Sequence, residues 1–452
     1  MPKPIRFLLA AISGGLSVLA FPPVSWIPMI FIAWPILFFA IRGAGFRDGT
    51  RLGFIHGLVL FGIGLSWLFN IFGTVAIALW AVLALFTALT CGAIGWVSKL
   101  HPRAWWLPLY ATSAWVAVEY FRCEWFWLRF PWFTPGVAYG PNILSPILGV
   151  YGTSFLLVLV IACFVFEQGR KTRIWPIGLV AVILLGAKQW STPSTGSIPI
   201  LAIQSENCDL VTYLEASKAH SFQNGIIVWP EYSVTYEVTE QDRQWPLLTG
   251  LAREKDSVLV YGTKKELPEN QHYNIARTLD ASGEIGWHAK NRPVHLMNDG
   301  VPGTETVPIK TRFGALGTTV CFDNDYTEVV RRMTLAGAEA FVVPSMDAAQ
   351  WTKRQHLQHA EFVRLRAAEN ARWFVVASTS GVSQIVSPDG KVVKSLPLME
   401  DGILEGKIDR SRYLTFFTRF GWVFPWIVFA SAIIATSLLV IRRPGRKLDT
   451  AA

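Results

Sequence analysis

The sequence predicts a two-part protein, an α-helical membrane bundle of about eight helices with a soluble α/β domain inserted before the last of them. Three observations predict it. Of the 452 residues, 52% are hydrophobic and only 16% charged, with 20 Trp, which is a membrane-like composition. Charge is unevenly spread: residues 196–412 hold 23 Lys/Arg and 27 Asp/Glu, net −4, whereas the remainder hold 18 against 5, net +13. Composition also changes abruptly at Ser191-Thr192-Pro193-Ser194-Thr195-Gly196, a turn-forming stretch that reads as a linker.

Apolar stretches approaching the roughly 20 residues of a membrane span lie near 5–20, 26–41, 52–69, 73–97, 104–121, 142–166, 174–190 and 420–441. The opening MPKPIRFLLAAISGGLSVLAF has the basic start and apolar run of a signal peptide, but further apolar segments follow at once, so it reads as an uncleaved first helix. Cationic loops resist translocation. The alternating set Lys3, Arg6, Arg42, Arg47, Arg51, Lys99, Arg103, Arg170, Lys171, Arg173, Arg442, Arg443, Arg446 and Lys447 holds 14 basic residues, while the opposite set holds only Arg122, Arg129, Lys188 and Arg419. Both termini are therefore expected in the cytoplasm and the long segment before the last helix outside it, which in a bacterium is the periplasm. The expected units are membrane helices one to seven at 1–190, a linker at 191–195, the soluble domain at 196–412, and the last helix with a basic tail at 413–452.

The soluble domain is mildly acidic, so nucleic acid is excluded as a partner. The five cysteines make no CxxC or Cys/His spacing and imply no disulfide framework. Strand-like runs IPILAIQ, GIIVWPE, SVLVYGT, YNIARTLDASGEIGWHAK, LGTTVCF, EAFVVPS, WFVVAST and SQIVSPDGKVVKSL are separated in places by helical patterns such as TEVVRRMTLAGA and TKRQHLQHAEFVRLRAAENA. Parallel strands joined by helical crossovers are the economical arrangement.

Three strand exits end on reactive side chains: Glu231 after IIVWP, Lys290 after GEIGWHA and Cys321 after LGTTV. Residues of a common site gather where strands end. A thiol has an unperturbed pKa of about 8.5, so a neighbouring carboxylate can take its proton while a lysine offsets the negative charge and steadies a tetrahedral oxyanion. Such chemistry calls for neither metal nor cofactor. Two of them have plainer readings, Cys321 as a small buried residue and Lys290 as a surface cation, whereas a carboxylate directly after Val-Trp-Pro at a strand end, Glu231, does not read as plain solvated surface.

The ordered set WPE at 229–231, AK at 289–290 and VCFD at 320–323, with Tyr273-Asn274 before the lysine and RLRAAENARWFVVASTSGVSQIVSPDGKVV at 364–393, resembles the nitrilase superfamily, which implies an αββα fold and a Glu-Lys-Cys triad. The helical part adds AFPP at 20–23, GIGLSWLF at 62–69, and AWVAVEYFR with RFPW at 114–132. Together they resemble the apolipoprotein N-acyltransferase family over nearly the full chain. That resemblance implies a phospholipid acyl donor and, as acceptor, the N-terminal amine of a lipid-modified lipoprotein cysteine. Cys321 would be the acylated nucleophile, Glu231 the general base and Lys290 the oxyanion and thiolate partner, with Asn274, Asp299, Phe322 and Asp323 binding substrate or supporting the site.

The chain departs from that pattern in the substrate-facing loops. Asp323 stands where the family usually has Glu, and Phe322 where it usually has Tyr. Position 298 is Asn where a second active-site Glu is expected, and the nearest carboxylate is Asp299, which either orients Lys290 or caps the Asn298-Asp299-Gly300 turn. The loop expected to be Asn-Asp-Trp-like is PSMDAAQW at 344–351, and the early aromatic corresponds to Tyr213 or is absent. His356 and His359 read as surface residues, since zinc needs three or four donors. Arg364, Arg366 and Glu369 read as helix-face or packing ion pairs. Glu119 and Arg122 either pair locally at a helix end or line a lipid route. Two rival readings carry different expectations: a membrane-anchored amidase using the same triad, and a weakened relative acting as a membrane scaffold for a glycosyl transferase.

Overall fold

The structure, a computed structural model, describes residues 1–166, 178, 197–207 and 209–441. Seven of the eight apolar segments contain α-helix: α1 (Lys3–Val18), α2 (Ile30–Ile41), α3 (Phe46–Gly64), then, after the short α4 (Leu68–Phe72), α5 (Val75–Leu100) and α6 (Leu107–Tyr120), and, after the short α7 (Pro135–Tyr139), α8 (Ser145–Phe166). The seventh is the last helix, described below. Apart from residue 178, the segment at 174–190 lies outside the described residues, as do the linker at 191–195 and the basic tail from 442. Helices α3 and α5 approach closely because Gly49, Gly53 and Gly57 line one face of α3. A Cβ at Gly53 would stand 2.4 Å from the Thr87 carbonyl oxygen, so only glycine admits the contact.

The soluble domain holds twelve strands among the described residues. Strand β1 (Ile198–Gln204) leads through helix α9 (Leu210–Ala219) to β2 (Ile226–Val228), and through α10 (Trp245–Glu254) to β3 (Val258–Leu267). Next come β4 (Gln271–Asp280), β5 (Gly283–Ala289), β6 (Ile309–Thr311) and β7 (Gly314–Gly317). Helix α11 (Thr327–Leu335) precedes β8 (Ala340–Ser345), and α12 (Thr352–Asn370) precedes β9 (Phe374–Ser378). The domain closes with β10 (Gln384–Val386), β11 (Val392–Ser395) and β12 (Gly402–Ile408), followed by α13 (Phe416–Phe420) and the last apolar helix α14 (Val423–Ile441). Of all these helices, α5, α8 and α14 are long and apolar enough to cross a membrane.

Two six-stranded sheets form, ordered β12-β1-β2-β3-β4-β5 and β11-β10-β9-β8-β7-β6. The expected parallel strands with helical crossovers are found in β1-β2-β3 and β7-β8-β9, and every other pair is antiparallel. Crossover helices occupy those parallel connections, whereas short turns join the antiparallel neighbours β3–β4, β4–β5, β6–β7, β9–β10 and β10–β11. Strand β12, not among the expected runs, pairs with β1 along its whole length from Ile198 to Gln204.

Alternation with a period of two builds the layers. Ile200 and Ala202 of β1 join Val342 of β8 and Val375 of β9 in the core between the sheets, while Leu201 and Ile203 face the layer containing α9 and α10. Phe341 and Val343 of β8 likewise pack against Val330 of α11 and Val363 of α12. The result is a nitrilase-like αββα sandwich.

Helix α12 is where the two parts meet. Its Gln358 accepts from Trp67 Nε1 at 2.9 Å and donates to the Pro22 and Gly64 carbonyls at 3.1 and 3.2 Å. Glu369 accepts the Val150 N–H at 2.8 Å, beside the break that Gly149 makes in α8 at φ 65°, and pairs with Arg366 at 2.9 Å. Arg366 and Glu369 are thus the packing pair expected, both fully buried, while Arg364 pairs with Glu361 at 2.7 Å nearer the surface.

Candidate active site

Glu231 follows β2 where the chain runs hard against β3: a Cβ at Gly262 would lie 2.4 Å from Glu231 Cα. Lys290 is the first residue past β5, its N–H donating to the Asn274 carbonyl of β4 at 2.8 Å. Cys321 opens a tight turn after β7 at φ 45°, a left-handed conformation uncommon outside glycine and concentrated at functional sites. Asp323 pins that turn. Its Oδ2 accepts the Val320 N–H at 3.1 Å and faces His288 Nε2 at 3.3 Å, and its Oδ1 accepts the Arg292 N–H at 2.8 Å.

The carboxylates converge on one ammonium. Lys290 Nζ lies 2.8 Å from Glu231 Oε1 and 2.7 Å from Asp299 Oδ2. Asn274 Nδ2 bridges the same carboxylates, at 2.6 Å from Glu231 Oε1 and 2.7 Å from Asp299 Oδ1. Asp299 also accepts the Val294 N–H at 2.7 Å. Of the two openings for Asp299, pairing with Lys290 is therefore the one adopted. All of these side chains are buried.

Burial opposes the Lys290 charge, but Asp299 and Glu231 outweigh it and hold the ammonium well above the ordinary lysine range. Burial pushes Glu231 up, with Asp299 adding to the rise and Lys290 opposing it. The Cys321 thiol is raised well above its usual value by burial and by Glu231, against the pull of Lys290. The resting site thus holds a neutral thiol beside a carboxylate whose proton affinity is enhanced.

Cys321 lines an apolar pocket of about 900 Å³, counting the space at its open mouth, walled by both parts of the protein. Trp67, Ile71, Phe72, Leu79, Leu83 and Trp132 come from the helical part, and Val294, Leu296, Met297 and Phe322 from the soluble domain. Phe322 is therefore a wall residue. Asp323 and Asn274 do not line the pocket and act as supports. Tyr213 stacks on Trp229 at 5.4 Å in the outer layer and is no part of this wall.

The expectation that His356 and His359 decorate the surface is corrected, because both are buried. His356 contacts the Ala348 carbonyl at 3.0 Å, and His359 lies between Asp347 and Asp325 beside the pocket. A helix carrying polar residues on every side reads as exposed, yet α12 is covered on one side by a sheet and on another by the helical part. Asp347 was legible in principle, since it too stands just past a strand end, that of β8. Arg122 donates to the Phe130 and Trp132 carbonyls at 2.7 and 3.0 Å, so it holds the RFPW loop, and with Glu119 it borders a smaller cavity inside the helical part.

Residues 198–415 match the carbon-nitrogen hydrolase family, and residues 13–163 match the apolipoprotein N-acyltransferase N-terminal domain. The apolipoprotein N-acyltransferase of Geobacter metallireducens is 25% identical, over 97% of this chain and 96% of its own length; that of Nitrosomonas europaea is 27% identical, over 96% and 97%. The chain belongs to the apolipoprotein N-acyltransferase family, within the nitrilase superfamily. Among solved structures, an amidase from Nesterenkonia sp. aligns at a TM-score of 0.40 and 22% identity, covering 49% of this chain and 93% of its own. In this acyltransferase-family chain, the departures from the usual pattern fall on the pocket wall at Phe322 and on the Lys290 partner at Asp299.

Proposed function

We propose that this protein is an N-acyltransferase that moves a fatty acyl chain from a phospholipid to the N-terminal amine of a lipid-modified lipoprotein cysteine, through a thioester on Cys321. One observation carries the reading: a buried Cys321, under the influence of Glu231 and Lys290, lines an apolar pocket built jointly by the helical part and the soluble domain. A small polar amide would find few partners on such walls, whereas an acyl chain can pass onto them from the bilayer without entering water, where each exposed methylene would cost about 0.8 kcal/mol.

In the first half-reaction Glu231 takes the Cys321 proton as Sγ attacks the ester carbonyl carbon. Lys290 stabilises the oxyanion. The C–O bond then breaks, the lysophospholipid oxygen receives the proton from Glu231, and the acyl group remains on sulfur. In the second half-reaction the acceptor amine attacks the thioester carbon, Glu231 accepts the proton from nitrogen, and the C–S bond breaks to give the amide and, after that proton returns, the thiol. Apolar walls keep water from the thioester and so favour aminolysis over hydrolysis.

The reading includes a bacterial inner-membrane location with about eight crossings, units at 1–190, 196–412 and 413–452, cytoplasmic termini and a periplasmic catalytic domain. The charge asymmetry between the alternating loops supports it. Incubation of the purified protein with phosphatidylethanolamine, followed by peptide mass analysis, should find an acyl mass on the Cys321 peptide that is lost in Cys321→Ala. Folded protein that stays unacylated in the presence of lipid would refute the scheme.

A further inference from the structure

We propose that His359 is a positioning residue for Cys321, clamped as a cation between Asp347 and Asp325, and that through Asp325 it ties the nucleophile turn to Trp132 of the helical part. His359 Nδ1 lies 2.8 Å from Asp347 Oδ1, and its Nε2 lies 3.2 Å from Asp325 Oδ1. A neutral imidazole that gives its one N–H to Asp347 would turn a bare nitrogen lone pair toward the Asp325 carboxylate, whereas the imidazolium hydrogen-bonds Asp347 and is drawn to Asp325 as an ion pair. Burial opposes the charge, but Asp347 and Asp325 overcome it.

Each carboxylate leads to a different part of the machinery. Asp347 also accepts from Gln355 Nε2 at 2.9 Å and Ser378 Oγ at 3.1 Å, and the carbonyl of its neighbour Met346 meets the Cys321 thiol at 3.6 Å. Asp325 is the last residue of the turn that begins at Cys321, and its Oδ2 accepts Trp132 Nε1 at 2.6 Å. The Trp132 indole lies parallel to the His359 ring, 6.1 Å away at 12°. The imidazolium therefore fixes both segments that flank the sulfur, and the membrane-side loop covers it.

The electrostatic consequence follows from the surroundings. Glu231, Asp299, Asp347 and Asp325 face this region, with the Asp323–His288 pair beneath the turn, Arg129 and His295 on the pocket wall, His356 acting on Asp347, and Arg366 3.4 Å from the Asp325 carbonyl. Without the His359 cation, Asp347 and Asp325 lose the positive partner they share, and the thiolate of Cys321 becomes harder to form. In the acyl-transfer reading, on which this consequence rests, that slows attack on the donor ester; the clamp itself does not depend on which substrate is used.

The test is Cys321 alkylation by iodoacetamide in the full-length protein in nanodiscs, followed by peptide mass across pH. His359→Gln should shift the alkylation profile to higher pH and slow the reaction about tenfold at fixed pH, as one pKa unit in the thiol implies. Asp347→Asn combined with His359→Gln removes the uncompensated charge and should return the profile most of the way. Trp132→Phe keeps the ring, deletes the N–H to Asp325, and should give a smaller slowing in the same direction. A His359→Gln protein that melts like the parent and alkylates at the parent rate and pH overturns the proposal. If His359→Gln fails to fold, parent-like alkylation in Trp132→Phe overturns the coupling instead. A parent protein that alkylates as described yet never acquires an acyl group from phospholipid sinks the acyl-transfer reading and leaves the clamp standing.

Discussion

Lys290 faces two carboxylates, and that unequal arrangement decides how the site handles protons. With Glu231 and Asp299 both within 2.8 Å of one ammonium, the cluster carries a surplus negative charge, and burial makes Glu231 hold a proton more readily than a solvated carboxylate. In the proposed reaction Glu231→Gln keeps the shape and removes the base, so thioester formation should fall by about 10²–10⁴-fold, the usual scale of general-base catalysis; burst-phase acylation measures it. Because the base must be ionised, the acid limb of the same rate should lie above the ordinary carboxylate pKa of about 4.3. His359 makes a separate stability prediction. Its folded-state pKa is raised, so its contribution is fully present below about pH 6.5, the unfolded value, and is lost as pH rises through the folded value. Parent protein should therefore lose more melting temperature on going from pH 6 to alkaline pH than Asp347→Asn/His359→Gln does. Glu231, Lys290 and Cys321 were legible because their types and order match one chemistry. His359 was not, since a histidine amid polar helix residues reads as solvated until its neighbours in space are known, and Asp347, though it follows a strand end as those three do, was passed over.

At the scale of elements, the strands were legible because hydrophobic alternation and turn residues are local signals. Turn residues at Ala281-Ser282 and at Pro388-Asp389-Gly390 close the β4–β5 and β10–β11 hairpins, whereas β12 was missed because Gly402, Glu405, Gly406 and Lys407 dilute its apolar face and only pairing with β1 makes it a strand. Helix α12 shows the same limit from the opposite direction, since its partners lie more than 200 residues away in sequence. Two substitutions probe these contacts. Gly262→Ala on β3 puts a methyl carbon against the Glu231 backbone, with Pro230 O at 2.7 Å and Tyr232 N at 2.7 Å, all rigid atoms. It should move Glu231 off Lys290 and cut acylation by at least about 100-fold, while a melting curve still reports a folded domain. Glu369→Ala strands the buried Arg366 guanidinium and the Val150 N–H together, a loss of about 3–5 kcal/mol for a broken buried pair, read as a lower midpoint of thermal unfolding.

Across the whole molecule, the stretches AFPP, GIGLSWLF and RFPW meet on the soluble domain: Pro22, Gly64 and Trp67 at Gln358, and Trp132 at Asp325. Motifs that look like loop punctuation in the sequence are thus the docking surface that seats the catalytic domain on the helices. A pocket walled from both sides can receive a lipid chain directly from the bilayer, which requires the soluble domain to stand on one defined face. The basic residues predict which face. Lys3, Arg6, Arg42, Arg47, Arg51, Lys99 and Arg103 lie on the side opposite the soluble domain if translocation follows the positive-inside rule. The exposed hairpin tip at Ser282 and the exposed Arg51 are therefore suitable reporters. In intact spheroplasts, a membrane-impermeant maleimide should label Ser282→Cys and leave Arg51→Cys unlabelled until the membrane is opened with detergent. Both reporters go into a Cys163→Ser/Cys208→Ser background, because Cys163 is only half-buried and Cys208 falls in the soluble domain, whereas Cys91, Cys123 and Cys321 are buried. Labelling of Arg51→Cys in sealed cells, with Ser282→Cys protected, would put the catalytic domain in the cytoplasm and make a periplasmic lipoprotein acceptor untenable.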